Sequence, residues 1–189
     1  MKSVFIGGIP ASGKSFLAKK LSSEYGISLI STDLLRENLV KDPKTKYWVN
    51  FYWNLDEKEY YTTTSCEEQW GNLVHQSEAF WPEILRTVGE LSKNGSLVVE
   101  GVNVLPHLAA KDFNFSGVYL LGESQETILS RIKKDPRWGK TDKLQQLEAH
   151  NFFNCERDWY KKEAEKHGYL SFDNPDEAYK VVAKMIQEK

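Results

Sequence analysis

The sequence predicts an α/β fold, a five-stranded parallel sheet flanked by helices, carrying a helical cap and a lid. Three observations predict it. Short apolar runs at residues 3–6, 27–31, 96–100, 117–121 and 169–172 have the length and composition of buried strands. Stretches with helical periodicity separate them, and strands that alternate with helices pair in parallel with helices on both faces. Between the first run and the first helix lies Gly8-Ile9-Pro10-Ala11-Ser12-Gly13-Lys14-Ser15. It fits G-x-x-x-x-G-K-[ST], the loop whose backbone N–H groups cradle phosphate oxygens.

The elements follow in order. Ser3–Ile6 is the first strand, and Phe16–Leu21 opens a helix with Leu17 and Leu21 on one face. Gly26 is a C-cap candidate. Ile27–Ser31 is the second strand, followed by Thr32-Asp33 and a short helix from Leu34 to about Val40. Residues 41–65 are polar, aromatic and Pro-containing with no clean period, an excursion from the sheet. From Cys66 to Lys93, Trp70, Leu73, Val74, Phe80, Ile84, Leu85, Val88 and Leu91 keep helical spacing, with a break or a new first turn expected at Pro82. Asn94-Gly95 stops this run. Ser96–Glu100 is the third strand, and it ends in a carboxylate. A helix over about 105–112 and a fourth strand, Gly117–Leu121, come next. Ser124 caps a helix that Asp135-Pro136 ends. Asp142 is the expected cap of a long helix through Trp159 that closes at Gly168. Tyr169–Phe172 is the fifth strand, and Pro175 opens the last helix.

Composition excludes several classes. A chain of 189 residues suits one α/β domain with an inserted cap. A net charge of −2 gives no global drive toward nucleic acid or an anionic membrane. No apolar run approaches the ~18 residues of a membrane span. The first strand begins too early to leave room for a signal peptide, so a cytoplasmic protein is expected. Cys66 and Cys155 fit no metal spacing and do not resemble a disulfide framework. His75, His107, His150 and His167 form no motif.

Right-handed crossovers bring the C-terminal ends of all parallel strands to one edge, where ligands bind. That places the loop, Asp33 and Glu100 together. Gly8 and Gly13 permit backbone angles and close approach that a Cβ would block. The segment from Gly8 through Phe16 is the expected nucleotide-binding site: Ile9, Pro10, Ala11 and Ser12 form the turn, Lys14 reaches the β- and γ-phosphates, and Ser15 ligates Mg²⁺. Asp33 and Arg36, three apart on a helix start, share one face. Asp33 is either a general base for an attacking hydroxyl or an ordinary N-cap, and Arg36 either holds substrate oxygens or is solvated. Glu100 either holds a metal-bound water and the substrate or caps a strand end, and Asn103 follows it as a substrate candidate. The basic segment 131–140, broken by Pro136 and Gly139, reads as a lid or as a solvated loop, with Arg131 and Arg137 as its catalytic candidates. Tyr47, Trp48, Phe51, Tyr52, Trp53, Tyr60 and Tyr61 either pack a cap interior or stack a substrate ring.

On these motifs the chain resembles the P-loop kinases built like nucleoside monophosphate kinases, over nearly its whole length. Ile30-Ser31-Thr32-Asp33-Leu34-Leu35-Arg36-Glu37 and Val98-Val99-Glu100-Gly101-Val102-Asn103-Val104-Leu105-Pro106 are similar to segments of 2-phosphoglycerate kinases. Asp33-x-x-Arg36 also resembles the pair in polynucleotide kinases, and zeta-toxin kinases carry a comparable aspartate. The resemblance implies a single kinase domain over 1–189, with a substrate cap at about 41–93 and a lid at about 131–143. It implies ATP and Mg²⁺ as cofactors, Asp33 as base and Arg36 as a substrate or phosphate ligand. Glu100-Gly101-Val102-Asn103 lacks the arginine with which mononucleotide kinases grip the acceptor's phosphate. The expected reaction is phosphoryl transfer to a hydroxyl of a small metabolite. The alternatives are a nucleic-acid or nucleotide-sugar hydroxyl as acceptor, or a regulator that binds nucleotide without transfer. Near-neutral charge disfavours nucleic acid.

Overall fold

In the computed structural model, which describes residues 1–136 and 139–187, five parallel strands form one sheet in the order β2-β3-β1-β4-β5. They are β1 (Val4–Gly8), β2 (Ser28–Ser31), β3 (Leu97–Glu100), β4 (Gly117–Leu120) and β5 (Leu170–Phe172). The first three crossings carry α1 (Lys14–Tyr25), then α2 (Arg36–Leu39), α3 (Pro43–Asn54), α4 (Glu57–Thr63) and α5 (Cys66–Leu91), then α6 (Pro106–Asp112). Between β4 and β5 run α7 (Gln125–Lys134), α8 (Asp142–Asn151), a π-helical turn (Phe152–Glu156) and α9 (Arg157–Lys166); α10 (Pro175–Gln187) ends the chain.

The central strands are buried on both faces, so their alternation sorts residues between two cores rather than between core and water. Val4, Ile6, Val98, Val118 and Leu120 point to the α1 and α10 side, where Leu17, Leu21, Val182 and Ile186 meet them. Phe5, Leu97, Val99 and Tyr119 point to the opposite side, against Ile84, Val88, Leu105 and Tyr160. Register aligns the functional edge. Ile6 and Ser31 both pair with Glu100, and Gly8 pairs with Leu120, so the segments leaving β1, β2 and β3 emerge together.

The stretch 41–65, expected as part of a helical cap but with no clean period, is helical over α3 and α4, with Asp42 and Asp56 as N-caps accepting from Lys44 N and Glu59 N. Three sequence expectations are corrected. Pro82 does not break α5, which runs through it. An internal proline costs a helix ~3 kcal/mol; here Trp70, Leu73, Phe80, Trp81, Ile84 and Val88 are buried along one helix and offset it. Thr141, not Asp142, caps α8, its hydroxyl accepting from Leu144 N. Cys66 and Cys155 are joined by a disulfide across 89 residues, with Cα atoms 4.8 Å apart. Their spacing in sequence carried no hint of it, because the pairing arises from α5 packing on the π-helical turn.

Between α4 and α8, two carboxyl groups meet. Glu57 Oε1 and Glu148 Oε2 are buried, and neither has a donor if both groups are ionised. Glu148 Oε1 accepts from Gly139 N at 3.1 Å, and Gln145 Nε2 donates to Gly139 O at 3.0 Å. Burial first, then the hydrogen bond and the negative charge of Glu148, push the Glu57 carboxyl up to about 8. Glu57 therefore keeps its proton near neutrality and can donate it toward Glu148.

Candidate active site

The phosphate loop is built by local constraints. β1 ends at Gly8 with φ 123°, and an added Cβ there would lie 2.0 Å from Leu120 O. Ile9 N donates to Leu120 O, which turns the chain off the sheet. Ala11, with φ 54°, is the one non-glycine residue with positive φ among the described residues, a conformation worth ~1 kcal/mol of strain. Gly13 caps α1 with φ 103° and no side-chain bond, and the first turn of α1 holds no acid. The first N–H groups of α1 and the positive end of its dipole are thus left for an anion.

Side chains donate to three of the loop's carbonyls. Ser12 Oγ and Lys14 Nζ donate to Ile9 O at 2.8 and 2.6 Å. Arg131, projecting from α7, donates to Ala11 O at 3.2 Å and Ser12 O at 2.9 Å, and pairs with Glu123 at 3.2 Å. Arg131, expected at the start of a lid over about 131–143, lies in the last turn of α7 and is seated on the loop. Phe16 is exposed on the first turn of α1.

The metal candidates meet. Ser15 Oγ donates to Glu100 Oε2 at 3.3 Å, and Glu100 is 3% exposed. Thr32 Oγ1, buried beside Gly101, has no hydrogen-bond partner. These hard oxygens fit Mg²⁺, which keeps several waters and takes few protein ligands. Among the described residues no three His, Cys, Asp or Glu side chains gather as a metal cluster.

A cavity of about 340 Å³ opens beside the loop. Pro10 and Asp33 lie on its wall, with Asn103, Gln69 and Gln76. Asp33 sits in a 3₁₀ turn, Thr32–Leu35, directly after β2. The loop after β3 is pinned by Tyr160, whose hydroxyl donates to Val102 O. Arg36 begins α2; its side chain, and Arg137 altogether, lie outside the described residues. Tyr52, Trp53, Tyr60 and Tyr61 line the cavity, whereas Tyr47 is exposed and Trp48 packs on the core. Burial raises the Tyr52, Tyr60 and Tyr61 hydroxyls, so all three remain neutral donors at pH 7. Sequence reasoning missed Gln69, Gln76, Phe152 and Glu156 on this wall. Gln69 and Gln76 did carry a signal, since with Leu73 and Phe80 they follow the spacing of one helical stripe, where amides among apolar residues need a reason.

A family model described as an AAA domain matches residues 4–143. The chain belongs to this family of P-loop domains. Two solved structures extend the likeness over its whole length. Shikimate kinase from Acinetobacter baumannii, in complex with shikimate, is 13% identical with a TM-score of 0.57, covering 100% of this chain and 95% of that one. Deoxyadenosine kinase from M. mycoides, with bound dATP, is 14% identical with a TM-score of 0.56, covering 100% of both. At these identities the likeness is one of fold. No curated protein sequence matches the chain. Among the described residues no helix is long and apolar enough to cross a membrane.

Proposed function

We propose that this P-loop protein is a kinase that transfers the γ-phosphoryl group of ATP to a hydroxyl of a small molecule. One observation carries the reading: a single cavity is lined by the phosphate loop at Pro10 and by the carboxylate of Asp33. A hydroxyl held there lies between a phosphate donor and a base. The loop from Gly8 to Phe16 binds the triphosphate through its N–H groups. Lys14 follows the β- and γ-oxygens, and Ser15 with Glu100 holds Mg²⁺, which neutralises charge on the phosphates when bound. Asp33 takes the hydroxyl proton as the acceptor oxygen bonds to the γ-phosphorus and ADP leaves. Arg36 and Arg137 steady the transferring group, and Arg131 keeps the loop in shape. The α3–α5 excursion acts as the cap and the segment after α7 as the lid. A protein that spends ATP in this way belongs in the cytoplasm.

The test is Asp33→Asn. Asn preserves the shape of the side chain but takes no proton at neutral pH. We expect ADP affinity and melting temperature within error of wild type and kcat lower by roughly 10²–10⁴-fold. Full kcat with a lowered melting temperature makes Asp33 structural and removes the base from the scheme.

A further inference from the structure

The Cys66–Cys155 bridge sits in a fold that has no need of a staple. Cross-links hold small domains that cannot build a core, and they persist where thiols are kept oxidised. This chain buries a core on each face of its sheet. Resting on the reading of a cytoplasmic kinase above, it also works where thiols are kept reduced, and a disulfide in that compartment is a transient one.

The position of the bridge says what it holds. Cys66 is the first residue of α5 and is exposed, whereas Cys155 lies in the π-helical turn and is 7% exposed. Gln69, one turn after Cys66, lines the cavity, and so do Phe152 and Glu156, which flank Cys155 in the chain. The bridge therefore ties two walls of the cavity together. Further along α5 the core takes over: Trp70 stacks on Trp159 with ring centroids 6.0 Å apart and meets Tyr160 edge-on at 5.1 Å. Ahead of Trp70, the helix start is joined to the other wall by the bridge and by Gln69 Nε2, which donates to Asn151 Oδ1 at 3.0 Å. α4, with Tyr60 and Tyr61 on the cavity wall, leads directly into this point. A reduced state is provided for as well. Cys155 Sγ lies 3.7 Å from Asn151 Oδ1, so a thiol formed there has an acceptor in place.

We propose that Cys66 and Cys155 form a reversible redox site that latches the cap wall of the cavity. Oxidised, it fixes α4 and the start of α5 on the π-helical turn; reduced, it lets them open and close. The chain holds no other cysteine, so the reductant is an external thiol of low molecular weight. Its thiolate attacks Cys66 Sγ at the exposed end of the bridge. The S–S bond breaks, and its electron pair leaves on Cys155 Sγ, which takes up a proton. A second thiolate attacks the small-molecule sulfur of the mixed disulfide, and Cys66 leaves and is protonated in turn. Two external thiols are oxidised to one disulfide, and the bridge gains two electrons and two protons.

The experiment equilibrates the full chain in glutathione buffers whose reduced-to-oxidised ratio runs from about 1 to about 1,000, a span that brackets a cytoplasmic pool. Free thiols are alkylated and read by mass spectrometry. Half-oxidation within that span is expected. A bridge still intact at the most reducing ratio is a structural staple, and thiols still free at the most oxidising one do not bridge; either result overturns the proposal. Hydrogen exchange then compares the two states over minutes, before global opening contributes. Residues 56–69 and 152–156 should exchange about tenfold or more faster in the reduced protein, as loss of a cross-link requires. The strands β1, β3 and β4 should stay protected in both states. Cys66→Ser should exchange like the reduced wild type in every buffer. Equal exchange in the two states, faster exchange spread over the sheet, or a Cys66→Ser protein that still follows the ratio overturns the latch. No acceptor enters these measurements. A protein that releases no ADP with any hydroxyl refutes the kinase reading and leaves the latch standing, and a working kinase whose bridge survives reduction does the reverse.

Discussion

Replacing Glu57 by glutamine isolates the proton that Glu57 keeps between α4 and α8. In the wild type the folded-state carboxyl holds its proton up to about 8, against about 4.5 when unfolded. Between those values the folded state binds the extra proton, so stability is fully present below about 4.5 and is lost as pH rises through about 8. Each pH unit of such a difference is worth at most about 1.4 kcal/mol. Because Glu57 is only half-buried, solvent screening reduces the whole interval to about 1–2 kcal/mol. For a domain of this size that is a fall in Tm of about 2–8 °C. The amide introduced by Glu57→Gln would still donate to Glu148, and it has no proton to lose. Scanning calorimetry from pH 5 to 9 should therefore show a Tm that declines in the wild type and a flat one in the variant, with the variant the more stable at pH 9. Parallel curves would refute the retained proton.

Three further outcomes are expected. Arg131→Met removes the donors to Ala11 O and Ser12 O, and ADP binding measured by calorimetry should weaken about 5–30-fold, as loss of one or two charged hydrogen bonds requires. Cys66→Ser opens a loop of 89 residues and should cost about 2–4 kcal/mol, read as a Tm lowered by several degrees under non-reducing conditions; wild type and variant melting together would mean that the thiols do not bridge. In hydrogen exchange, ATP with Mg²⁺ should protect residues 135–143 more than α7, because Arg131 is already seated on the loop and α7 has little order left to gain from the nucleotide. Unchanged exchange in that segment would assign it to a passive surface.

The phosphate loop was legible because its constraints are local: Gly8, Gly13 and Lys14 are set by φ angles and reach within a dozen residues. The sheet edge followed from topology, since parallel strands leave little choice about where Asp33 and Glu100 emerge. Residues 41–65 concealed their helices because α3 buries only Thr45 and Val49 fully. Its rings instead pack on one another, Tyr47 on Trp48 and Trp48 on Phe51, and no single apolar stripe appears. The break expected at Pro82 failed because local propensity was outweighed by burial along α5. The wall built by Gln69 and Phe152 and the Cys66–Cys155 bridge depend on how the cap meets the end of α8 and the π-helical turn, more than eighty residues later in the chain. No spacing rule reaches that far.

The seating of Arg131 on the loop changes what counts as a module. The Gly8–Ser15 motif looks portable, a strand, a turn and a helix that fit in twenty-five residues. Its carbonyls, however, are held by a guanidinium 119 and 120 positions away. A fragment cut after β3 would carry every letter of the motif and none of that restraint, and Ala11 would be free to leave its left-handed conformation. A chimera that imports this loop must import α7 with it, whereas a circular permutation opened at the exposed turn Ser92–Asn94 keeps both halves in one chain.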